Sequence, residues 1–211
     1  MKKYFYETTG MYIDWDQISK LPEINTLIDI GVGDLGTPDL YQRFPKSKLI
    51  LIDPLDEAEK YVKKNLNHRD YTFHKYAVGN IEEERTINIE EKTGRSTLLN
   101  VTEINYEGEP VDKKKVLIKT LDSLLEGKEL GKIGIKIDTE GFELDVIKGA
   151  TKTLERSEFV LAEVRHNHQS FDKQYKLCEF VDLMYENKFS LNMILTAKPL
   201  IADLCFLKRK K

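Results

Sequence analysis

Only two cysteines occur in the 211 residues, Cys178 and Cys205. Neither has metal-ligand spacing, and no other cysteine stands near to complete a redox pair. Cys178 falls in an apolar helical pattern and Cys205 in an apolar strand pattern, so both are expected as reduced core residues. No apolar run follows Lys2 and Lys3. A signal peptide or membrane-spanning segment is therefore not expected, and a cytoplasmic protein is. Charge of one sign is also lacking. The net charge of −3 gives no electrostatic basis for binding nucleic acid. The basic stretch Lys208–Lys211 is short and reads as a solvated end. Internal repeats and low-complexity tracts are absent as well.

Hydrophobic residues make up 40% of the chain and charged residues 33%, the balance of a soluble, folded protein. The length suits a single domain with a sizeable core. We expect one domain over residues 1–211, with an N-terminal extension at 1–24 and the core at 25–211. Short apolar runs alternate with helical patterns, which argues for a mainly parallel sheet covered on both faces.

The spacing predicts strands at Thr26–Ile30, Lys48–Ile52, Tyr71–Tyr76, Thr86–Ile89, Val116–Lys119, Ile133–Ile137 and Phe159–Val164. Helices are expected from Pro38 to Phe44, at Glu57–Leu66, Leu121–Leu125, Glu143–Leu154 and Tyr175–Tyr185, with Thr120 as an N-cap. A turn is expected at Thr93–Ser96 and a surface loop at Tyr106–Lys115. Leu191–Leu195 and Asp203–Leu207, joined across Lys198 and Pro199, read as a closing antiparallel hairpin.

Chemistry gathers at the ends of these strands. Asp29-Ile30-Gly31-Val32-Gly33-Asp34-Leu35-Gly36 lies between a strand and a helix, as a nucleotide-binding turn does. Gly31 and Gly33 allow a tight turn and close approach of a ligand. The spacing of Gly31, Gly33 and Gly36 also fits a dinucleotide site, so the glycines do not decide the cofactor. Asp29 would repel a pyrophosphate and attract an ammonium group. Asp53 ends the second strand, where its two oxygens can accept hydrogen bonds from both hydroxyls of a ribose. Asp29 also reads as a turn-capping carboxylate, and Asp53-Pro54 as a helix start.

The segment Lys136-Ile137-Asp138-Thr139-Glu140-Gly141-Phe142-Glu143 ends another strand. Asp138 and Glu140 there can accept a proton, position a hydroxyl or hold a metal, or the acids can simply favour a helix N-terminus. After the fifth main strand come Glu163, Arg165, His166 and His168. His166 has a usable pKa for a general base. Arg165 suits an acidic or phosphate-bearing acceptor. Glu163, Asp138 and His166 can also surround a divalent cation, but no spacing calls for one and the metal is left unassigned.

LIDIGVGDLG, LILIDP, Ala77-Val78-Gly79, Thr120–Leu125, KIDTEGFELDVIKGA and VLAEVRH together resemble the FkbM family of methyltransferases, over roughly residues 25–166. The resemblance implies an α/β fold of the Rossmann-like class I type. Its sheet would be mainly parallel and seven-stranded, with helices on both faces, and the C-terminal hairpin closes it. It implies S-adenosylmethionine as methyl donor and O-methylation of a sugar or polyketide hydroxyl. The expected cofactor set is Asp29, Ile30, Gly31, Gly33, Asp53, Pro54, Ala77 and Asp138. Asp138, Glu140 and His166 are the expected catalytic groups. Ser96, Thr97 and Arg165 are the expected acceptor contacts. The sequence departs from the family in its shorter loop after Gly33 and in having Asp53-Pro54 where Glu-Pro is usual.

The expected partner is a small-molecule or glycan acceptor. Two other readings stay open: a nicotinamide-dependent oxidoreductase on the same turn, and a non-catalytic binding protein of this fold. Asp29 and the lack of an obvious Tyr-x-x-x-Lys pair in the later chain argue against the first. The four strand-end acids argue against the second.

Overall fold

The computed structural model describes residues 15–90, 95–100, 112–166, 171–197 and 200–210. In chain order the elements are α1 (Trp15–Ile18), β1 (Thr26–Ile30), α2 (Pro38–Arg43), β2 (Lys48–Ile52), α3 (Asp56–Asn65), β3 (Tyr71–His74), β4 (Ala77–Val78), β5 (Glu83–Ile89) and β6 (Asp112–Lys119). Then come α4 (Leu121–Leu124), β7 (Ile133–Ile137), α5 (Glu143–Lys148), α6 (Thr151–Glu155), β8 (Ser157–Arg165), α7 (Leu177–Glu186), β9 (Phe189–Ala197) and β10 (Ile201–Lys208).

Seven strands form one sheet in the order β3-β2-β1-β7-β8-β10-β9. The first five are parallel, and β10 pairs antiparallel with both β8 and β9. The hairpin expected at the C-terminus is therefore present, but its second strand sits inside the sheet and β9 forms the edge. This is the expected class I architecture. All five residues of β1 are buried, because both faces of the sheet are covered. Ile28, Ile30, Ile50, Ile135 and Ile137 pack with Val146, Ile147 and Phe180 on one face. Leu27, Leu49 and Leu51 pack with Leu40, Tyr41 and Val62 on the other. Strand alternation thus sorts isoleucines to one core and leucines to the other.

A second, three-stranded sheet, β4-β6-β5, stands apart from the first. The third main strand stops at His74 rather than Tyr76, because the chain leaves for this small sheet. Residues 112–115, expected in a loop, belong to β6. The helix expected over Glu143–Leu154 is two helices. The break falls at Gly149, whose carbonyl accepts from Asp122 N at 3.1 Å; a side chain at 149 would stand 2.0 Å from the Gly79 carbonyl oxygen. Asp122 then restarts the helix, accepting from the backbone N–H groups of Lys152 (2.9 Å) and Thr153 (2.8 Å).

Thr120 caps α4 as expected, its hydroxyl accepting from Ser123 N at 3.1 Å. Tyr175 lies ahead of α7 instead of inside it. Cys205 is a buried free thiol, but Cys178 is exposed. The reason is helical spacing: Phe180 and Met184 take the buried face of α7 and Cys178 the opposite one. Lys208 is half-buried, not a solvated end; its ammonium donates to the carbonyls of Leu154 (2.9 Å) and Asn187 (3.2 Å). The expected turn at 93–94, most of the loop at 106–111, His168, and Lys198-Pro199 lie outside the described residues. No helix among the described residues is long and apolar enough to cross a membrane.

Candidate active site

The order of connections places the site. The chain runs outward from β1 to β3, then returns to β7 on the other side of β1. Crevices form at the carboxyl ends of strands at such a reversal. Backbone bonds draw the three turns together. Gly31 N donates to Ile52 O at 2.9 Å, and Asp138 N donates to Ile30 O at 2.9 Å. Gly31 adopts φ +81, and a Cβ on it would lie 1.7 Å from the Asp138 carbonyl oxygen. Only glycine permits that approach.

Above these turns lies a cleft of about 540 Å³, part of it open to solvent. Of the expected cofactor residues, Ile30, Gly31, Gly33, Asp53, Pro54, Ala77 and Asp138 line it. Glu140 and Ser96 line it too. Its apolar wall comes from Ala77 and Ile87 of the small sheet together with Leu55 and Phe142, which cluster with them. Asp53 is buried, and its two oxygens accept from Gly33 N (2.9 Å) and Leu55 N (2.8 Å). Burial pushes its pKa up to about 6, against those two hydrogen bonds.

Asp29 does not line the cleft. It is fully buried beneath the glycine turn, on the face of α2. One oxygen accepts from the hydroxyls of Tyr41 and Thr37, the latter at 3.2 Å. Lys136 stands 3.5 Å from its other oxygen, 3.2 Å from Asp138 Oδ2, and donates to Gly31 O at 3.3 Å. Burial works against the charge of Lys136, but Asp138 and Asp29 outweigh it and hold the ammonium more firmly protonated than usual. Lys136 was given no role in the sequence. Its signal was there: it is the one charged residue in the apolar strand IGIKI.

Asp138, Glu140 and Glu163 converge, with one oxygen of each within 4.8 Å of the others. Glu140 has φ +51. Its carboxylate bonds to Arg165, and its carbonyl accepts from the Thr97 hydroxyl at 2.7 Å. Burial raises the Glu140 pKa to about 7; Arg165 opposes the shift and Asp138 adds to it. Burial, Asp138, Glu140 and Asp203 push Glu163 up further. Arg165 is thus tied to Glu140 and stacks over Phe171 at 4.6 Å.

Glu143 is structural. Its Oε1 accepts from Thr139 N, Thr139 Oγ1 and Gly141 N, each at 3.0 Å, and Oε2 accepts from Tyr175 at 2.8 Å. The carboxylate inside the fold thereby fixes the turn that presents Glu140. His166 is exposed and does not line the cleft; its backbone N–H donates to Leu200 O at 3.2 Å. Thr97 is buried behind the wall, and Arg165 also lies outside the lining.

The profile of the methyltransferase FkbM domain matches residues 29–191. The chain belongs to the FkbM methyltransferase family. Membership in a methyltransferase family agrees with the expected enzyme class and donor and not with the oxidoreductase reading. The fold is shared with an FkbM methyltransferase from Methylobacillus flagellatus KT, at TM-score 0.57 and 12% identity, over 90% of this chain and 47% of that one. This chain therefore spans about half the length of that relative. It is also shared with the magnesium protoporphyrin IX methyltransferase of Synechocystis PCC 6803 with bound S-adenosylmethionine, at TM-score 0.50 and 11% identity, over 92% and 74% of the two chains. A precorrin-6y C5,15-methyltransferase from Geobacter metallireducens GS-15 shares it at TM-score 0.50 and 8% identity, over 92% and 86%. No curated protein matches the sequence.

The residues present fit the donor. Gly31 leaves the backbone bare, Asp53 offers carboxylate oxygens for ribose hydroxyls, and the Leu55–Phe142 wall offers an apolar face for an aromatic base.

Proposed function

We propose that this FkbM family member methylates a hydroxyl oxygen of a small polyhydroxylated acceptor, a sugar or glycan unit. The supporting observation is the carboxyl cluster of Asp138 and Glu140 at the lining of a cleft suited to the donor. Bound S-adenosylmethionine supplies an activated methyl group; the chain's own residues hold, orient and take up a proton. Asp53 accepts from the ribose, and the apolar wall shields the base. Asp29, neutralised by Lys136, supports the glycine turn from below instead of meeting the ligand.

At the other end, the carboxylates accept hydrogen bonds from acceptor hydroxyls, and their charge disfavours a phosphorylated acceptor. Methyl transfer breaks the sulfur–methyl bond and forms an oxygen–methyl bond, with the electron pair left on sulfur. The hydroxyl proton leaves at the carboxyl cluster. Glu140 is the group best matched to neutral pH for receiving it. Positioning the reactants in line contributes on the order of 7–11 kcal/mol where alignment is good. His166, exposed and outside the lining, takes no part in this scheme.

The experiment is a transfer assay with labelled donor over free sugars, nucleotide sugars and oligosaccharides. Label in an alkali-stable ether on a sugar is the expected result. Label only on nitrogen acceptors, or on none of the panel, overturns the reading.

A further inference from the structure

We propose that Asp138, Glu140 and Glu163 bind one hard divalent cation, Mg2+ or Mn2+, beside the end of the cleft that Asp138 and Glu140 line. The inference rests on the reading of that end as the place where the hydroxyl meets the protein.

Three observations carry it. One oxygen of each carboxyl lies within 4.8 Å of the other two. Oxygens around a bound Mg2+, at about 2.1 Å from the ion, lie roughly 3 Å apart when adjacent and about 4 Å apart when opposite, so a small inward movement completes the set. The neighbouring cations leave the needed atoms open. Lys136 approaches Oδ2 of Asp138, and Arg165 bonds to Oε2 of Glu140. Oδ1 and Oε1 remain.

Glu163 supplies the third and most telling observation. It is only 9% exposed, and among the described residues no hydrogen bond and no ion pair reaches its carboxyl. A largely buried carboxyl in that state is met by water or by an ion.

An all-oxygen, all-carboxylate donor set selects Mg2+ or Mn2+ over softer metals. Water and the acceptor's oxygens fill the remaining positions. An acceptor with two adjacent oxygens binds best. A bound ion would lower the pKa of a hydroxyl oxygen held against it, and the proton would still leave at the carboxyl cluster.

Mn2+ titration of the metal-stripped full chain, followed by electron paramagnetic resonance without donor or acceptor, tests this. One ion per chain is expected, with E163Q at least ten-fold weaker. S-adenosylmethionine affinity and melting temperature of E163Q should match the wild type. If E163Q does not fold, D138N is read in the same titration. No bound Mn2+ at millimolar concentration, or a variant that binds like the wild type, overturns the site. Methyl transfer that persists in excess chelator overturns the ion and leaves the proposed function standing. Mn2+ binding with no transfer to any hydroxyl overturns the function and leaves the site.

Discussion

Glu140 is held in a backbone conformation that non-glycine residues adopt at a cost of about 1–3 kcal/mol. The Thr97 bond to its carbonyl and the Arg165 bond to its carboxylate pin it there. E140Q keeps the shape and loses the negative charge. Turnover is expected to fall by about 10²–10⁴-fold, while donor affinity by calorimetry changes by less than about three-fold. A variant with normal kcat would remove Glu140 from the chemistry. Asp53 gives a pH dependence. Its pKa is about 6 in the folded chain against an ordinary 3.8, so the folded state holds a proton that the unfolded chain has lost between pH 4 and 6. Stability therefore falls as pH rises through that window, by at most about 3 kcal/mol. Ribose hydroxyls donate to the ionised form, so donor affinity should weaken up to tenfold per unit below pH 6. D53N should flatten that dependence in titrations from pH 7 to 5. The sequence showed Asp53, Asp138 and Glu140 at their strand ends, because those turns are read from the strands before them. It did not show that Lys136 neutralises Asp29 from a neighbouring strand. That contact depends on register, which local pattern does not encode.

At the scale of elements, apolar strand runs were readable almost to the residue, as at Thr26–Ile30, Lys48–Ile52 and Ile133–Ile137. Their periodicity is set by burial on both faces. The break between α5 and α6 was hidden, since Gly149 is unremarkable until Asp122 is known to bond to its carbonyl. Likewise the small sheet pairs β4 with β6 across many residues, and nothing local announces the pairing. The restart of α6 depends on Asp122, a side chain from another element. D122A removes the acceptor for two backbone N–H groups and the hydroxyls of Thr151 and Thr153. A loss of about 1–2 kcal/mol is expected, seen as a lower urea midpoint with an unchanged slope.

For the molecule as a whole, the cleft lies between the main sheet's strand ends and a wall to which the small sheet contributes Ala77 and Ile87. A ligand there ties the two sheets together. Donor at a hundred times its Kd should add about 2.7 kcal/mol, which raises the melting temperature of a chain this size by roughly 5–10 °C. NAD at the same concentration should leave the melting curve unmoved. An equal shift with NAD would mean that the cleft does not distinguish the two cofactors.

The contact between Gly79 and Gly149 has one more effect. Two bare backbones touching make a spacer of minimum thickness, and that spacer sets how far the small sheet stands from the strand ends. The G149A variant thickens it by one methyl group. The small-sheet part of the wall then moves outward, and the cleft widens although no residue that meets the ligand has changed. Donor affinity should drop while kcat at saturating donor holds, a split between KM and kcat that steady-state kinetics reads directly.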